Sequence, residues 1–173
     1  MAERLSLIVR AATAGDSGLT WVSALKCNRR PGHVACPGHL AVRRTDVPAS
    51  IAWWCTSCDD EGIISGWERS PFDLRPRSSE PGPTLGVHVI VSAEVASTLR
   101  SLMLLDTVSE RLVFRAQVVD GVVVLSGNED DLDVLAGCVA AEANHEEDRR
   151  RQKRLDAAFG VLNDALKRPG SRT

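Results

Sequence analysis

Residues 27–58, CNRRPGHVACPGHLAVRRTDVPASIAWWCTSC, decide how the first half of the chain is read. They hold four of its five cysteines, Cys27, Cys36, Cys55 and Cys58, in the pattern C-x8-C-x18-C-x2-C. Cys55-Thr56-Ser57-Cys58 has the form of a metal knuckle, because two intervening residues let both sulfurs face one ion while turn amides face the sulfurs. Cys27 and Cys36 are expected to supply the other pair. Pro31 and Gly32 suit a turn in their eight-residue spacer, and Pro37-Gly38 redirects the chain into the next strand. Four thiolates complete a tetrahedral shell, which points to one Zn²⁺ per chain. His33 and His39 lie in the same stretch and stand as alternates for one of the cysteines.

Outward from this stretch, short elements are expected on both sides. Glu3–Ala14 carries Leu5, Ile8 and Val9 at helical spacing and is closed by Gly15. Leu19–Leu25 reads as a strand leading to Cys27, followed by strands over Leu40–Arg44, Ile51–Cys55 and Gly62–Trp67. All four tryptophans (Trp21, Trp53, Trp54, Trp67) precede residue 70 and are expected to pack around the cysteines, with Trp67 and residues 70–74 as a closing flap. So short a segment has little apolar bulk, and the bound metal is expected to stand in for a hydrophobic core.

Cysteine pairs in two turns at one end of a small sheet resemble the four-cysteine zinc ribbons. The resemblance covers roughly residues 20–70, and departs from the usual ribbon in the long spacer between Cys27 and Cys36. It implies a structural metal site in which two metal-binding turns clamp a small three-stranded sheet. Trp54-Cys55-x-x-Cys58 is also similar to the redox motif of thioredoxins, which opens a helix. Here Asp59-Asp60-Glu61-Gly62 leads into a strand-like IISGW, and two further cysteines lie upstream. A zinc deaminase needs H-x-E ahead of P-C-x-x-C, and neither His33 nor His39 has a glutamate two residues on.

Residues 75–84, RPRSSEPGPT, have no periodicity and are expected to link a zinc-ribbon-like domain at 1–74 to a second domain at 85–173. In the second domain Val87–Val91 reads as a buried strand. Ser92 is placed as the N-cap of a helix through Leu105, with Glu94 in its first turn. Strands over Leu112–Val119 and Val122–Leu125 flank Asp120-Gly121, a strong hairpin signal. Asn128 or Ser126 then caps a helix from about Asp131 towards Lys167. The order is β-α-β-β-α with a long charged C-terminal helix, and the fold class is α+β.

A stripe on that last helix runs Val134-Cys138-Ala141 and resumes at Leu155-Phe159-Leu162-Leu166, which places Cys138 in the core. Between the two ends, residues 144–154 (NHEEDRRRQKR) are charged on every side, so either one helix crosses solvent there or two helices meet. Glu146–Arg150 and Glu147–Arg151 are expected as ion pairs one turn apart. The apolar end either packs on the sheet or pairs with a second copy in a homodimer. His145 and Asp148 lie one turn apart without a nucleophile, which is no basis for catalysis.

At 173 residues, with 43% apolar content and a formal charge of −2, the composition is that of a globular protein without the excess charge of a polymer-binder. There is no apolar run of membrane-spanning length and no secretory start, so no membrane association is expected. A cytoplasmic setting, where cysteine clusters bind metal more often than they form disulfides, is the expectation. Three lysines against eighteen arginines suit a GC-rich bacterial genome. Lys26, Arg29, Arg30, Arg43 and Arg44 form a phosphate-sized patch if both arginine pairs share a face; otherwise they are solvated or pair with Asp59, Asp60 and Glu61. The expected function is therefore non-enzymatic. A structural zinc site would support binding of a macromolecule, either nucleic acid or a protein. A small thiol- or metal-dependent enzyme using Cys55 and Cys58, and an antitoxin-like protein-interaction module, remain as alternatives.

Overall fold

The structure is a computed structural model that describes residues 2–75 and 86–167. The linker expected over 75–84 lies outside the described residues from residue 76 onward. The fold is α+β with antiparallel strand pairing. The described residues divide into two compact units, 2–75 with Gln117–Val119, and 86–116 with 120–167.

In the first unit, α1 (Ala2–Ala14) precedes a meander of β1 (Thr20–Lys26), β2 (His39–Asp46), β3 (Ala49–Cys55) and β4 (Glu61–Ile64). The strand order is β4-β3-β2-β1, with β6 (Gln117–Val119) joining the free side of β1 through Ser23 opposite Gln117. Helix α1 places Ile8, Val9, Ala11 and Ala12 in one buried cluster with Trp21, Leu40, Val42, Ile51, Trp53 and Trp67. Each large aliphatic side chain in that cluster stabilises by about 1.5–3 kcal/mol. A helix-on-sheet core therefore exists beside the cysteines, contrary to the expectation that metal replaces it. The short apolar stripe of α1 and the bulk of three tryptophans supply that core.

Gly15 ends α1 where a Cβ would meet the Trp21 ring at 2.4 Å, so only glycine lets the ring close under the helix end. The last carbonyls of α1 find their partner in Arg44, which is 6% exposed. Its Nη1 donates to the carbonyls of Thr13 at 3.2 Å and Gly15 at 2.9 Å, and its Nε donates to Asp46 at 3.0 Å. The chain after β4 folds back as the expected flap. Thr13 Oγ1 accepts from Leu74 N–H at 2.9 Å, Trp67 is 2% exposed, and the Arg75 guanidinium lies 4.5 Å over the Trp67 ring.

In the second unit β5 (Val87–Val91) pairs antiparallel with β7 (Val122–Gly127), from Val87 opposite Gly127 to Val91 opposite Val123. Only alternate residues of β5 are buried, Val89 and Val91, while Ile90 is 66% exposed, so the strand has one wet face. Four helices accompany these strands: α2 (Ala93–Arg100), α3 (Thr107–Phe114), α4 (Glu129–Asn144) and α5 (Arg149–Lys167). Ser92 and Asn128 are the caps of α2 and α4, each accepting from the amide three residues on. Asp120 and Gly121 both take positive φ (50° and 81°), the backbone a two-residue turn of this type needs.

The β-α-β-β-α order is corrected in one place, and the alternative left open for its last helix is resolved in another. First, α2 stops at Arg100 and Leu112–Phe114 belong to α3, not to a strand. Asp106 caps α3 by accepting from Val108 and Ser109 N–H at 2.8 and 3.0 Å, and this local cap outweighs the strand preference of Leu-Val-Phe. Second, the last helix is two. The Asp148 carboxylate accepts from Arg150 N–H at 2.8 Å and restarts the helix as α5. The break resets the helical phase, so α4 buries Leu132, Leu135, Ala136 and Val139, while Val134 is 49% exposed and Cys138 half-buried. Glu146 pairs across the break with Arg151 instead of along a helix with Arg150. Leu155, Ala158 and Leu162 are buried within this unit. No helix among the described residues is long and apolar enough to cross a membrane.

Candidate metal centre

The four cysteines are delivered by the strand ends. Cys27 follows β1, Cys36 precedes β2, Cys55 ends β3, and Cys58 lies in the turn before β4. Because neighbouring strands of a meander run antiparallel, both connections fall at the same end of the sheet. The Sγ atoms of Cys27, Cys36, Cys55 and Cys58 all lie within 4.8 Å of one another, with Cys27–Cys58 at 3.7 Å and Cys36–Cys55 at 3.6 Å. A tetrahedral ion with metal–sulfur bonds near 2.3 Å sets its ligands about 3.8 Å apart. The four thiols fit one such ion. Cys27, Cys36 and Cys55 are buried and Cys58 is half-buried.

The long spacer is accommodated by two backbone bonds. Cys27 N–H donates to the Gly38 carbonyl and Cys36 N–H to the Arg29 carbonyl, both at 2.9 Å, so Cys27–Arg29 and Cys36–Gly38 lie side by side as two turns. In each, the amide two residues after the cysteine donates to its sulfur, Arg29 N–H to Cys27 and Gly38 N–H to Cys36, both at 3.4 Å. The knuckle repeats this, with Ser57 N–H to Cys55 Sγ at 3.3 Å. Thus six of the eight residues between Cys27 and Cys36, Arg30 to Ala35, form a loop outside the paired turns. That loop holds the exposed His33, while His39 begins β2. Neither histidine is among the four converging donors.

Backbone donors and burial act against each other on the thiols. Burial pushes Cys27 up from the ordinary 9.0 to about 12, the neighbouring thiols adding to it. Burial also raises Cys55, but the Ser57 and Cys58 amides with the Cys36 and Cys58 thiols outweigh it and bring Cys55 down to about 7. Cys58 is raised, again mainly by burial. One sulfur is thereby ready to ionise at neutral pH, whereas Cys27 and Cys58 need a cation to do so.

Two residues that spacing did not single out complete the surroundings. Asp60, 11% exposed, accepts from Arg4 of α1, lies 3.7 Å from Cys27 Sγ and is 3.9 Å from the Arg29 guanidinium. The Arg4 guanidinium also stacks 4.9 Å over the Trp53 ring. A contact between residues 56 apart leaves no local pattern, although Asp60 stands in the acidic run expected to meet arginines.

The cationic patch does not assemble as drawn. Lys26, Arg29 and Arg30 are exposed at the knuckle end. Arg43 sits opposite Thr20, four residues or about 13 Å along β2 from the Lys26–His39 pair. Arg44 points the other way, into the core, as alternation along a strand requires. No family model, curated protein or solved structure matches this chain.

Proposed function

We propose that the chain is a non-enzymatic zinc protein of the zinc-ribbon type, whose four-cysteine centre is structural and braces the knuckle end of the first unit for binding a macromolecule. The observation that carries this reading is the convergence of four thiols within 4.8 Å, each of the three buried ones already held by an amide of its own turn. Four sulfurs fill a tetrahedral shell and leave no position for substrate, whereas a catalytic zinc keeps one open. A dithiol enzyme would pair Cys55 with Cys58, yet the sulfur nearest to Cys55 at hydrogen-bonding distance is that of Cys36, and Cys58 leans on Cys27. Among metals, thiolate donors in this geometry favour zinc.

The exposure of Lys26, Arg29 and Arg30 supports reading the knuckle loops as the partner surface. Arg43 and Arg44 are left out of it, and so is the C-terminal helix, because Leu155 and Leu162 are already buried within the chain. Three cations suit an acidic partner, either nucleic-acid phosphates or an acidic protein segment. A reduced, cytoplasmic setting suits the free thiols.

Elemental analysis with a thiol count tests the centre. One zinc per chain, and one reactive thiol (Cys138) until the protein is denatured, are expected. Five reactive thiols in the metal-free native protein would sink it. Shift assays over a salt series with the Arg29→Ala/Arg30→Ala variant test the surface. Salt-independent binding, unchanged in the variant, would remove these cations from the partner site.

A further inference from the structure

We propose that the second unit carries a site for a small phosphate-bearing molecule, in the cleft between α2 and the first half of α5. A cavity of about 490 Å³ lies there, walled by Glu94, Val95 and Thr98 on one side and Arg150, Lys153 and Arg154 on the other. That volume is in the range of small-ligand sites.

The three cations share one helix face because residues three and four apart are neighbours on a helix, and like charges so placed repel. Among the described residues none of the three has an ion pair. Arg151, in the same turn, is held by both Glu142 and Glu146. The helix break explains the contrast: Asp148 caps α5 and Glu146 reaches back to Arg151, which leaves Arg150 without its expected carboxylate. An anion in the cleft would relieve the repulsion that the protein itself leaves standing.

The chemistry of the walls narrows the ligand. Of the hydroxyls at the α2 side, Thr98 Oγ1 already donates to the Glu94 carbonyl at 3.0 Å, while Ser92 Oγ accepts from Val95 N–H at 3.1 Å and keeps its O–H to donate beside the cations. With it are two guanidinium forks, one ammonium, the Glu94 carboxylate and the apolar surface of Val95 and Ala157. Guanidinium forks take phosphate oxygens in pairs, and the ammonium adds a point charge. The carboxylate opposes a ligand that is anionic throughout and accepts from a hydroxyl or amine instead. A phosphorylated molecule with a polar organic part meets all three requirements. A polynucleotide needs a longer charged track and stacking surfaces.

Calorimetric titration of the full metal-loaded chain with a nucleoside diphosphate, and separately with inorganic pyrophosphate, tests the site. One molecule of the diphosphate should bind per chain, more tightly than pyrophosphate. Arg150→Gln/Arg154→Gln should weaken it by roughly tenfold or more for each arginine removed. Arg149→Gln, an exposed cation of the same turn outside the cleft, should leave it unchanged. Lys153→Gln gives a second reading should the double variant lose helical circular dichroism. Absence of binding by both probes would overturn the site, as would equal weakening by Arg149→Gln. Tighter binding of a single-stranded oligonucleotide, with several chains per strand, would overturn it in favour of a polynucleotide surface.

Discussion

At Gly38 a Cβ would meet Cys55 Sγ at 2.5 Å and Ser57 Oγ at 2.9 Å, so this residue sets how closely the two metal turns approach. Gly38→Ala should weaken zinc binding by about 10–100-fold, as disturbances just outside a ligand shell do, measured by competition with a chromogenic chelator. Protonation acts on the same shell. Metal binding must displace protons from Cys27 and Cys58, so zinc affinity should fall as pH falls and binding should release protons. In the metal-free chain Cys55 and Cys27 have opposite signs. The Cys55 value of about 7 lies below the ordinary 9.0, so its contribution is present above pH 9 and lost as pH falls through 7. The Cys27 value of about 12 lies above 9.0, so its contribution is present below pH 9 and lost as pH rises through 12. Denaturant melts of the metal-free protein should therefore peak in stability near pH 9. The four cysteines are legible as candidate donors from spacing, because Cys-x-x-Cys and proline-glycine turns act within a few residues, whereas the convergence of the four without His33 or His39 comes from the fold. Arg4 and Asp60 are not, since 56 residues separate them.

The hold of α1 on the flap after β4 turns on a single hydroxyl. Thr13 Oγ1 donates to the Val9 carbonyl at 2.7 Å and accepts from Leu74 N–H at 2.9 Å. Thr13→Val keeps the shape and removes the hydroxyl to which the Leu74 amide donates, beside a side chain only 4% exposed. It should cost about 1–3 kcal/mol, with Trp67 emission reporting the loosened flap in a urea titration. Strands of the first unit are legible because each is a short β-branched or aromatic run between turn residues. The helices of the second unit are less so. A stripe running from Val134 and Cys138 to Leu155–Leu166 assumes one helical phase throughout, and the cap at Asp148 breaks that phase; within α4 alone, Leu132-Leu135-Ala136-Val139 is the better apolar set. Likewise Asp106, followed by Ser109 and Glu110, carried a helix-start signal that Leu-Val-Phe masked.

Over the whole chain, all four tryptophans belong to the first unit and none to the second, so tryptophan emission follows the metal-bearing unit and far-ultraviolet dichroism is weighted to the helices of the other. With zinc about a thousandfold above its dissociation constant, its binding adds about 4 kcal/mol, so chelation should lower the tryptophan-detected melting midpoint by roughly 15–30 °C. The helix-on-sheet core makes the expected outcome a weakened fold rather than its loss. Emission already fully unfolded at low temperature after chelation would show that the core does not suffice. The order of elements in the first unit, the four candidate cysteines and the cap at Ser92 were determined by the sequence itself, because turns, caps and knuckles are made by residues close together in the chain. The inward turn of Arg44 onto the end of α1, the Arg4–Asp60 pair, and the isolation of Arg150 from its expected carboxylate were decided only in the tertiary structure. Each depends on which faces distant segments bring together, or on where a helix stops, and neither is written in any local run of residues.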